Sequence, residues 1–136
     1  MDVNDLIRKW KDAVNEEELD AFAAMYAPDA VLQTALARVE GRQAVKQYEG
    51  ALFTAFSGVS LKTLSVVTSG DTGAVEWEYS GKHTGELVGA EGTIPPTDRS
   101  FRLRGASFLR INPEGLIVEE HRYFDTGSLF KQLGLK

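Results

Sequence analysis

The sequence has 136 residues, enough for one folded domain with a substantial core, and 43% of them are hydrophobic. Its formal charge of −5 offers none of the clustered positive charge that binding to nucleic acid requires, so we expect no nucleic-acid partner. The absence of cysteine excludes disulfides, thiolate nucleophiles and cysteine-bound metals. No apolar stretch approaches the ~20 residues of a membrane span, and the acidic N-terminus has no apolar signal core. We therefore expect a cytoplasmic protein that does not contact membranes.

Three helices are predicted in the first part of the chain. Apolar residues recur at spacings of three and four over residues 3–14, which is typical of one helix face. A second helix is predicted after Asn15, which forms a capping pattern with Glu18, and it ends before Pro28. A third helix follows Gly41. Its predicted apolar face carries Ala44, Val45, Tyr48, Ala51, Leu52 and Ala55.

After Gly58 the pattern is typical of β-strands, because β-branched and alternating residues are separated by turn clusters. Helices that precede a strand-rich half predict a segregated α+β fold, and consecutive hairpins predict a mostly antiparallel sheet with one face covered by the helices. The predicted elements are strands at 59–68, 74–82, 99–111 and 116–124, turns at 69–73 and 112–115, a loop at 85–98 and a terminal helix at 126–133.

A pocket is predicted over the two strands near the end of the chain. One face of the 99–111 strand is apolar at both ends and small in the middle, where Gly105 and Ser107 lie. Small residues at the centre of a covered sheet leave volume beneath the helices. On the return strand both alternating faces are mixed, and one of them carries Leu116, Val118, Glu120, Arg122 and Phe124. The other face is favoured as the inward one, because its Ile117 and Tyr123 continue this apolar surface. That predicted face carries Ile117, Glu119, His121, Tyr123 and Asp125.

Ionisable and aromatic side chains would then border the pocket. His121, Asp125 and His83 are the ionisable candidates, and a buried carboxylate whose pKa is raised can act as general acid or base. A hydrogen-bonded pair of His121 and Asp125 is excluded, because four strand residues separate them by roughly 13 Å. The predicted substrate-binding residues are Trp10, Tyr26, Trp77, Tyr79, His83, Ser107 and Tyr123.

Short motifs along the chain resemble, in order and spacing, those of one family. Together they are similar to the SnoaL-like polyketide cyclase and ester-cyclase group of the nuclear-transport-factor-2-like superfamily. The resemblance runs from about Leu6 to Leu135, so we expect residues 1–136 to form a single SnoaL-like domain. The motifs are YAPDAV at 26–31, EGRQAV at 40–45, VEW at 75–77, GKHTG at 81–85, PPT at 95–97, YFD at 123–125 and QLGL at 132–135.

The resemblance implies a fold and a chemistry. The fold is a cone-shaped α+β barrel, in which a curved, mostly antiparallel sheet packs on N-terminal helices around a deep apolar pocket. Family members are commonly dimers, which implies a homodimer here. The characterised cyclases close a ring by intramolecular aldol condensation without metal or cofactor, which implies no cofactor and a small apolar molecule as substrate. Their acid/base is an aspartate that matches Asp125, and His121 or His83 is the candidate for their histidine.

Some residues depart from the family pattern or have a simpler structural interpretation. Asp98 stands where a glycine usually follows Pro-Pro-Thr, and the loop at 87–94 looks extended, so the substrate cannot be transferred from relatives. Asp125 precedes a predicted helix, where aspartate is a favoured N-cap, and His121 can equally be a packing residue. Two histidines and scattered carboxylates show no ligand spacing, so no metal site is predicted.

Three functions remain open at this point. The first is cofactor-free proton abstraction next to a carbonyl by Asp125, which ends in ring closure or isomerisation. The second is hydrolysis or dehydration in the same pocket. Epoxide hydrolases of this fold class use an Asp–Arg–Asp arrangement, whose counterparts the sequence does not identify. The third is a non-catalytic protein that binds a small molecule or serves as a dimeric scaffold.

Overall fold

The computed structural model describes residues 2–89 and 92–135. The first, third and terminal helices are bounded close to the predicted positions, and the predicted loop at 85–98 contains two short strands. In chain order the elements are α1 (Val3–Asn15), α2 (Leu19–Ala24), β1 (Tyr26–Gln33), β2 (Arg38–Glu40), α3 (Arg42–Ala55), β3 (Phe56–Ser69), β4 (Thr72–His83), β5 (Leu87–Gly89), β6 (Gly92–Ile94), β7 (Ser100–Ile111), β8 (Ile117–Phe124) and α4 (Thr126–Gln132).

One large sheet organises the described part of the chain. Its strand order is β2-β1-β8-β7-β4-β3, and β5 and β6 form a separate hairpin. Every neighbouring pair is antiparallel except β1 and β8, which run parallel because the two strands are joined through the rest of the domain. The prediction of an α+β fold with a curved, mostly antiparallel sheet packed on N-terminal helices is confirmed.

Helix α1 covers one face of the sheet. The side chain of Asp2 caps it by accepting a hydrogen bond from the backbone N–H of Asp5, at 2.8 Å. The buried stripe of the helix packs against β3 and β4, as the spacing of apolar residues predicts. This stripe consists of Val3, Leu6, Ile7, Trp10, Ala13 and Val14.

The segment after α1 differs from the predicted second helix. Asn15 does not cap α2, because its side-chain amide instead pairs with the backbone of Leu61 on β3, through bonds of 2.9 and 2.7 Å. Helix α2 begins at Leu19 without a side-chain cap. Tyr26, which lies within the range predicted for this helix, is the first residue of β1 and is fully buried.

A β-bulge in β8 reverses the inward face that strict alternation predicts. Ile117 pairs with Ile111, but Glu119 pairs with Arg110, so Val118 is an extra residue in the ladder. One extra residue moves every later side chain to the opposite face. The predicted inward face of Glu119, His121, Tyr123 and Asp125 is therefore wrong. The residues that point into the molecule after the bulge are Glu120, Arg122 and Phe124.

The buried residues form two clusters. The first lies between α1, α2, β1 and the middle of the sheet, and the second lies between the end of α3, the start of β7 and α4. Within residues 2–89 and 92–135, no helix has the length and apolar character needed to cross a membrane. The two clusters lie on either side of an internal cavity.

Candidate functional site

A cavity of about 70 Å³ separates the two core clusters. It has room for more than one water molecule and therefore for part of a small ligand. Leu36, which lines the cavity, is 37% exposed and marks where the cavity meets the surface. The lining is mostly apolar and aromatic, and consists of Trp10, Val14, Leu36, Tyr48, Glu49, Leu52, Phe56, Leu61, Trp77, Tyr79, Leu87, Phe101, Leu103, Arg122, Phe124 and Leu129.

Three of the predicted substrate-binding residues lie in this wall, namely Trp10, Trp77 and Tyr79. The small residues of β7 serve a different purpose from the one predicted. A Cβ added at Gly105 would lie 2.4 Å from the Trp77 ring, so Gly105 makes room for the indole rather than for a ligand. Ser107 accepts the indole N–H of Trp77 at 3.1 Å, which holds that ring in the cavity wall.

Arg122 links two buried carboxylates beside the cavity. Its Nε and Nη2 atoms donate to the carboxylate of Glu120, at 2.9 and 3.3 Å, which forms a two-pronged ion pair. Its Nη1 atom donates to Oε1 of Glu49 on α3. Glu120 is completely buried, whereas Glu49 and Arg122 line the cavity. The guanidinium also lies over the ring of Tyr48, 6.0 Å from its centroid.

Glu120 is the centre of a wider hydrogen-bond network. Its Oε1 atom accepts the hydroxyl of Tyr26, and its Oε2 atom accepts the hydroxyl of Ser107 at 3.0 Å. The indole N–H of Trp10 donates in turn to the Tyr26 hydroxyl, at 3.3 Å. Both oxygens of Glu120 are thus occupied, so this carboxylate anchors Arg122 and does not present a free oxygen to the cavity. Tyr26 and Ser107, predicted to contact substrate, lie behind the wall.

Burial shifts the ionisation of the groups around the cavity. Burial raises the pKa of Glu49, although the charge of Arg122 works in the opposite direction. Burial would by itself lower the pKa of Arg122, but the carboxylates of Glu120 and Glu49 raise it, so this guanidinium is always charged. Burial also raises the pKa of Tyr79, whose hydroxyl is neutral at physiological pH. Glu49 is the carboxyl group in the cavity wall, and burial makes it a stronger proton acceptor than a free carboxylate.

The residues predicted as acid and base lie outside this cavity. The side chain of Asp125 is exposed and accepts the backbone N–H of Ser128 at 3.1 Å, which caps α4. His121 lies on the outer face of the sheet, where it pairs with Glu119 at 3.2 Å and stacks on Tyr123. Tyr123 is 60% exposed. The bulge in β8 explains all three positions, because these residues follow it in the chain.

His83 is buried at the end of β4, outside the cavity lining. Its Nδ1 atom accepts the backbone N–H of Thr97 at 3.3 Å and lies 3.0 Å from the Thr97 hydroxyl. The ring packs edge-on against Phe56, which does line the cavity. The Nε2 atom has no hydrogen-bond partner among the described residues. His83 therefore supports the cavity wall from behind.

The structure places Glu49, Glu120 and Arg122 at or directly behind the cavity wall. None of them is among the site residues predicted from the sequence. One signal for Glu49 was present in the sequence. It lies four residues after Val45 and three before Leu52, so a charged residue interrupts the apolar face of α3. A charge in that position is typical of a buried ion pair. Glu120 and Arg122 carried no such signal, because the bulge decides their face.

Among residues 2–89 and 92–135, no three histidine or acidic side chains are grouped as metal ligands. The carboxylates of Glu49 and Glu120 are both engaged by Arg122, so a cation would have to compete with the guanidinium. The prediction that no metal or cofactor is needed stays a prediction.

Solved structures with similar folds were found. A proposed SnoaL-like polyketide cyclase from Jannaschia sp. superimposes on this chain with a TM-score of 0.84 at 15% sequence identity. The alignment covers 97% of this chain and 91% of that chain. A proposed polyketide cyclase from Streptomyces antibioticus superimposes with a TM-score of 0.74 at 26% sequence identity, and the alignment covers 97% of this chain and 98% of that chain. An LEH-like epoxide hydrolase from M. tuberculosis superimposes with a TM-score of 0.71 at 16% sequence identity, and the alignment covers 94% of this chain and 86% of that chain.

Comparison with curated proteins finds no match. The sequence profile of the SnoaL-like domain, by contrast, matches residues 7–120, which is most of the chain. This match begins within α1, includes α2 and α3, and reaches the buried Glu120 of β8. The chain belongs to the SnoaL-like domain family.

Proposed function

We propose that this protein is a cofactor-free acid/base enzyme that acts on a small apolar carbonyl compound, and that Glu49 rather than Asp125 transfers the proton. The observation that carries the proposal is the pair of Glu49 and Arg122 in an otherwise apolar and aromatic cavity. Oε1 of Glu49 accepts from Arg122, and Oε2 makes no hydrogen bond among the described residues. A carboxylate with one uncommitted oxygen and a raised pKa suits the role of a general base.

The chemistry follows from the two charged groups. The substrate carbonyl accepts a hydrogen bond from an uncommitted N–H of Arg122, which stabilises negative charge on that oxygen. Oε2 of Glu49 takes a proton from the adjacent carbon, and the electrons of the C–H bond form an enolate. If a C=C bond is conjugated with the enolate, the far carbon of that bond can recover the proton from Glu49, which moves the double bond. Otherwise the enolate carbon can attack a second carbonyl. In the second case a C–C bond closes a ring, and the new alkoxide takes the proton from Glu49.

The roles of the remaining residues follow from their positions. Glu120, Tyr26 and Ser107 hold Arg122 from behind, and Trp10, Trp77 and Tyr79 would enclose the substrate. Trp77 and Trp10 are themselves fixed by hydrogen bonds to Ser107 and Tyr26. A site whose groups are held in this way costs little reorganisation when charge develops in the substrate.

The test is deuterium exchange, measured by mass spectrometry, on a panel of apolar enolisable ketones and β-keto esters in deuterated water. We expect exchange by the wild type and a loss of at least about 100-fold in Glu49→Gln, the size typical for removal of a general base. Asp125→Asn should exchange like the wild type. Full exchange in Glu49→Gln, or its loss in Asp125→Asn alone, would contradict the assignment to Glu49. Binding without exchange would favour the non-catalytic function.

Hydrolysis of an epoxide is the second candidate, and one observation favours it. Arg122 lies between the carboxylates of Glu49 and Glu120, an arrangement of the carboxylate–arginine–carboxylate type used by epoxide hydrolases of this fold class. A similar structure is named as an LEH-like epoxide hydrolase. Here Glu49 would take a proton from a water molecule whose oxygen attacks an epoxide carbon. As the C–O bond breaks, Arg122 would donate a hydrogen bond to the departing oxygen, which then takes the proton from Glu49. Incorporation of labelled oxygen from water into the diol, and its loss in Glu49→Gln, would establish this reaction.

We also propose that the protein is a cytoplasmic homodimer that associates through the outer face of the sheet. Phe108 and Tyr123 are 47% and 60% exposed there, on neighbouring strands β7 and β8. Positively charged arginines and negatively charged glutamates surround these two side chains, and Arg104 and Glu76 are examples. A patch with an apolar centre and both charges at its border can pair with its own copy about a two-fold axis.

A further inference from the structure

The charges at the cavity do not balance. Among the described residues that line it, Glu49 and Arg122 are charged, and Glu120 lies directly behind Arg122. One guanidinium thus faces two carboxylates, which leaves one excess negative charge when both are ionised. All three residues are buried, and Arg122 is the most exposed at 7%. In such surroundings water screens charge poorly, so one excess charge has a large effect on what can bind.

The hydrogen-bond donors impose a second condition on the ligand. Arg122 has five N–H groups, and three of them donate to Glu49 and Glu120 in the described residues. Two N–H groups remain on a side chain that lines the cavity. A buried donor is satisfied by an acceptor, and a ligand in the cavity can supply one. An ammonium ligand has no lone pair to offer, whereas a carbonyl, ester or epoxide oxygen does.

We propose that Glu49 is a charge filter, by which the cavity accepts uncharged ligands with an acceptor oxygen and excludes the corresponding anions. The inference rests on the proposed function for the location of the substrate and deepens it, because it names the class of substrate. The uncommitted N–H groups of Arg122 would attract a carboxylate if Glu120 were the only counter-charge. Glu49 supplies a second counter-charge on the cavity side, so an anionic ligand would meet net repulsion in a buried site.

The test uses ligands that differ only in charge. Binding of methyl benzoate and benzoate, and of the corresponding 2-naphthoate pair, is followed at pH 8 by the fluorescence of Trp10 and Trp77. These are the two tryptophans of the chain, and both line the cavity. We expect at least one ester to bind about tenfold or more tightly than its acid. Equal binding of ester and acid, or no binding of either ester, overturns the proposal.

The variant Glu49→Gln keeps the size of the side chain and an acceptor for Arg122 but removes the charge. We expect its affinity for the acid to rise about tenfold, while its affinity for the ester changes little. Glu76→Gln removes the same charge from the exposed outer face of β4 and should leave both affinities unchanged. An acid affinity that stays low in Glu49→Gln, or that rises equally in Glu76→Gln, overturns the filter.

A second measurement needs no substitution, and keeps the test valid if Glu49→Gln does not fold. Burial raises the pKa of Glu49 above that of a free carboxyl group, so lowering the pH from 8 neutralises Glu49 ahead of benzoate and removes the same charge. The other ionisable groups around Glu49 are Arg122, Glu120, Tyr48 and Tyr79. Burial raises the pKa of both tyrosines, so they stay neutral, and Arg122 stays charged. We expect the affinity for benzoate to rise as the pH falls, and a flat profile overturns the proposal.

The two proposals can fail separately. Discrimination between ester and acid that depends on Glu49, without any deuterium exchange, would support the filter and contradict the acid/base function. Exchange that depends on Glu49, without such discrimination, would support the function and overturn the filter.

Discussion

At the scale of single residues, buried polar groups are the features that the mechanism and the stability of this protein depend on. Glu120 is completely buried and accepts hydrogen bonds from Tyr26, Ser107 and Arg122. A buried carboxylate is tolerated only when donors surround it, and here each donor also fixes a group at the cavity. His83 is the contrasting case, because one of its ring nitrogens has no partner in the described residues.

The stability of the protein should depend on pH through His83. Burial lowers the pKa of His83 below the 6.5 of a free histidine, although the charge of Asp98 opposes this shift. The unfolded chain therefore binds the proton more readily, so the contribution of His83 is fully present above pH 6.5 and is lost as the pH falls below that value. Protonation would also remove the acceptor that Nδ1 offers to Thr97.

Urea unfolding at pH 8 and pH 5.5 tests this dependence. We expect wild type to lose more free energy of unfolding between the two pH values than His83→Asn does. The variant His121→Asn changes the other histidine of the chain. Between the two pH values it should lose as much free energy of unfolding as the wild type does. An identical loss in wild type and His83→Asn would show that His83 does not couple stability to pH.

At the scale of the elements, two helices end in the same way but with different residues. After α4, Gly134 has φ of 79°, and Leu135 and Gly134 donate back to Phe130 and Lys131. After α1, Glu18 and Glu17 donate to Ala13 and Val14 in the same pattern. Both are Schellman motifs, which place one residue in the left-handed region. At α1 that residue is Glu17, with φ of 53°.

A glycine at position 17 should therefore stabilise the protein. The left-handed conformation costs an ordinary residue about 1 kcal/mol, which glycine avoids. We expect Glu17→Gly to raise the free energy of unfolding by up to about 1 kcal/mol, measured by urea denaturation. Glu16→Gly is the matched control, since Glu16 has φ of −93° and gains nothing from glycine. A Glu17→Gly protein no more stable than Glu16→Gly would contradict this explanation.

At the scale of the whole molecule, the sheet separates two surfaces with different properties. Its inner face, with the helices, encloses the cavity, and its outer face carries charged residues around Phe108 and Tyr123. Arg102 and Arg104 pair with Glu78, and Arg110 pairs with Glu119, so the outer charges are largely matched within the chain. Such a face is available for association without disturbing the cavity.

The proposed homodimer makes a direct prediction about mass in solution. Phe108→Glu places a charge at the centre of the outer apolar patch, where burial in an interface would be costly. We expect light scattering after size exclusion to show a dimer for wild type and a monomer for Phe108→Glu. Val88→Glu, at a 64% exposed position of the β5–β6 hairpin, should remain dimeric. A wild-type monomer, or a dimer that persists in Phe108→Glu, contradicts this interface.

The sequence by itself determined the class of fold, the extent of α1 and α3, most strand positions and the cavity-wall positions of Trp10, Trp77 and Tyr79. These follow from local periodicity and turn residues, and the family motifs add the overall architecture. Only the tertiary structure decided which charged residues reach the cavity. One extra residue, Val118, reverses the face of everything after it in β8, and its pairing with β7 exists only in the folded chain. That reversal moves Asp125 out to the helix cap and turns Arg122 inward, where it meets Glu49 from a helix 73 positions away in the sequence.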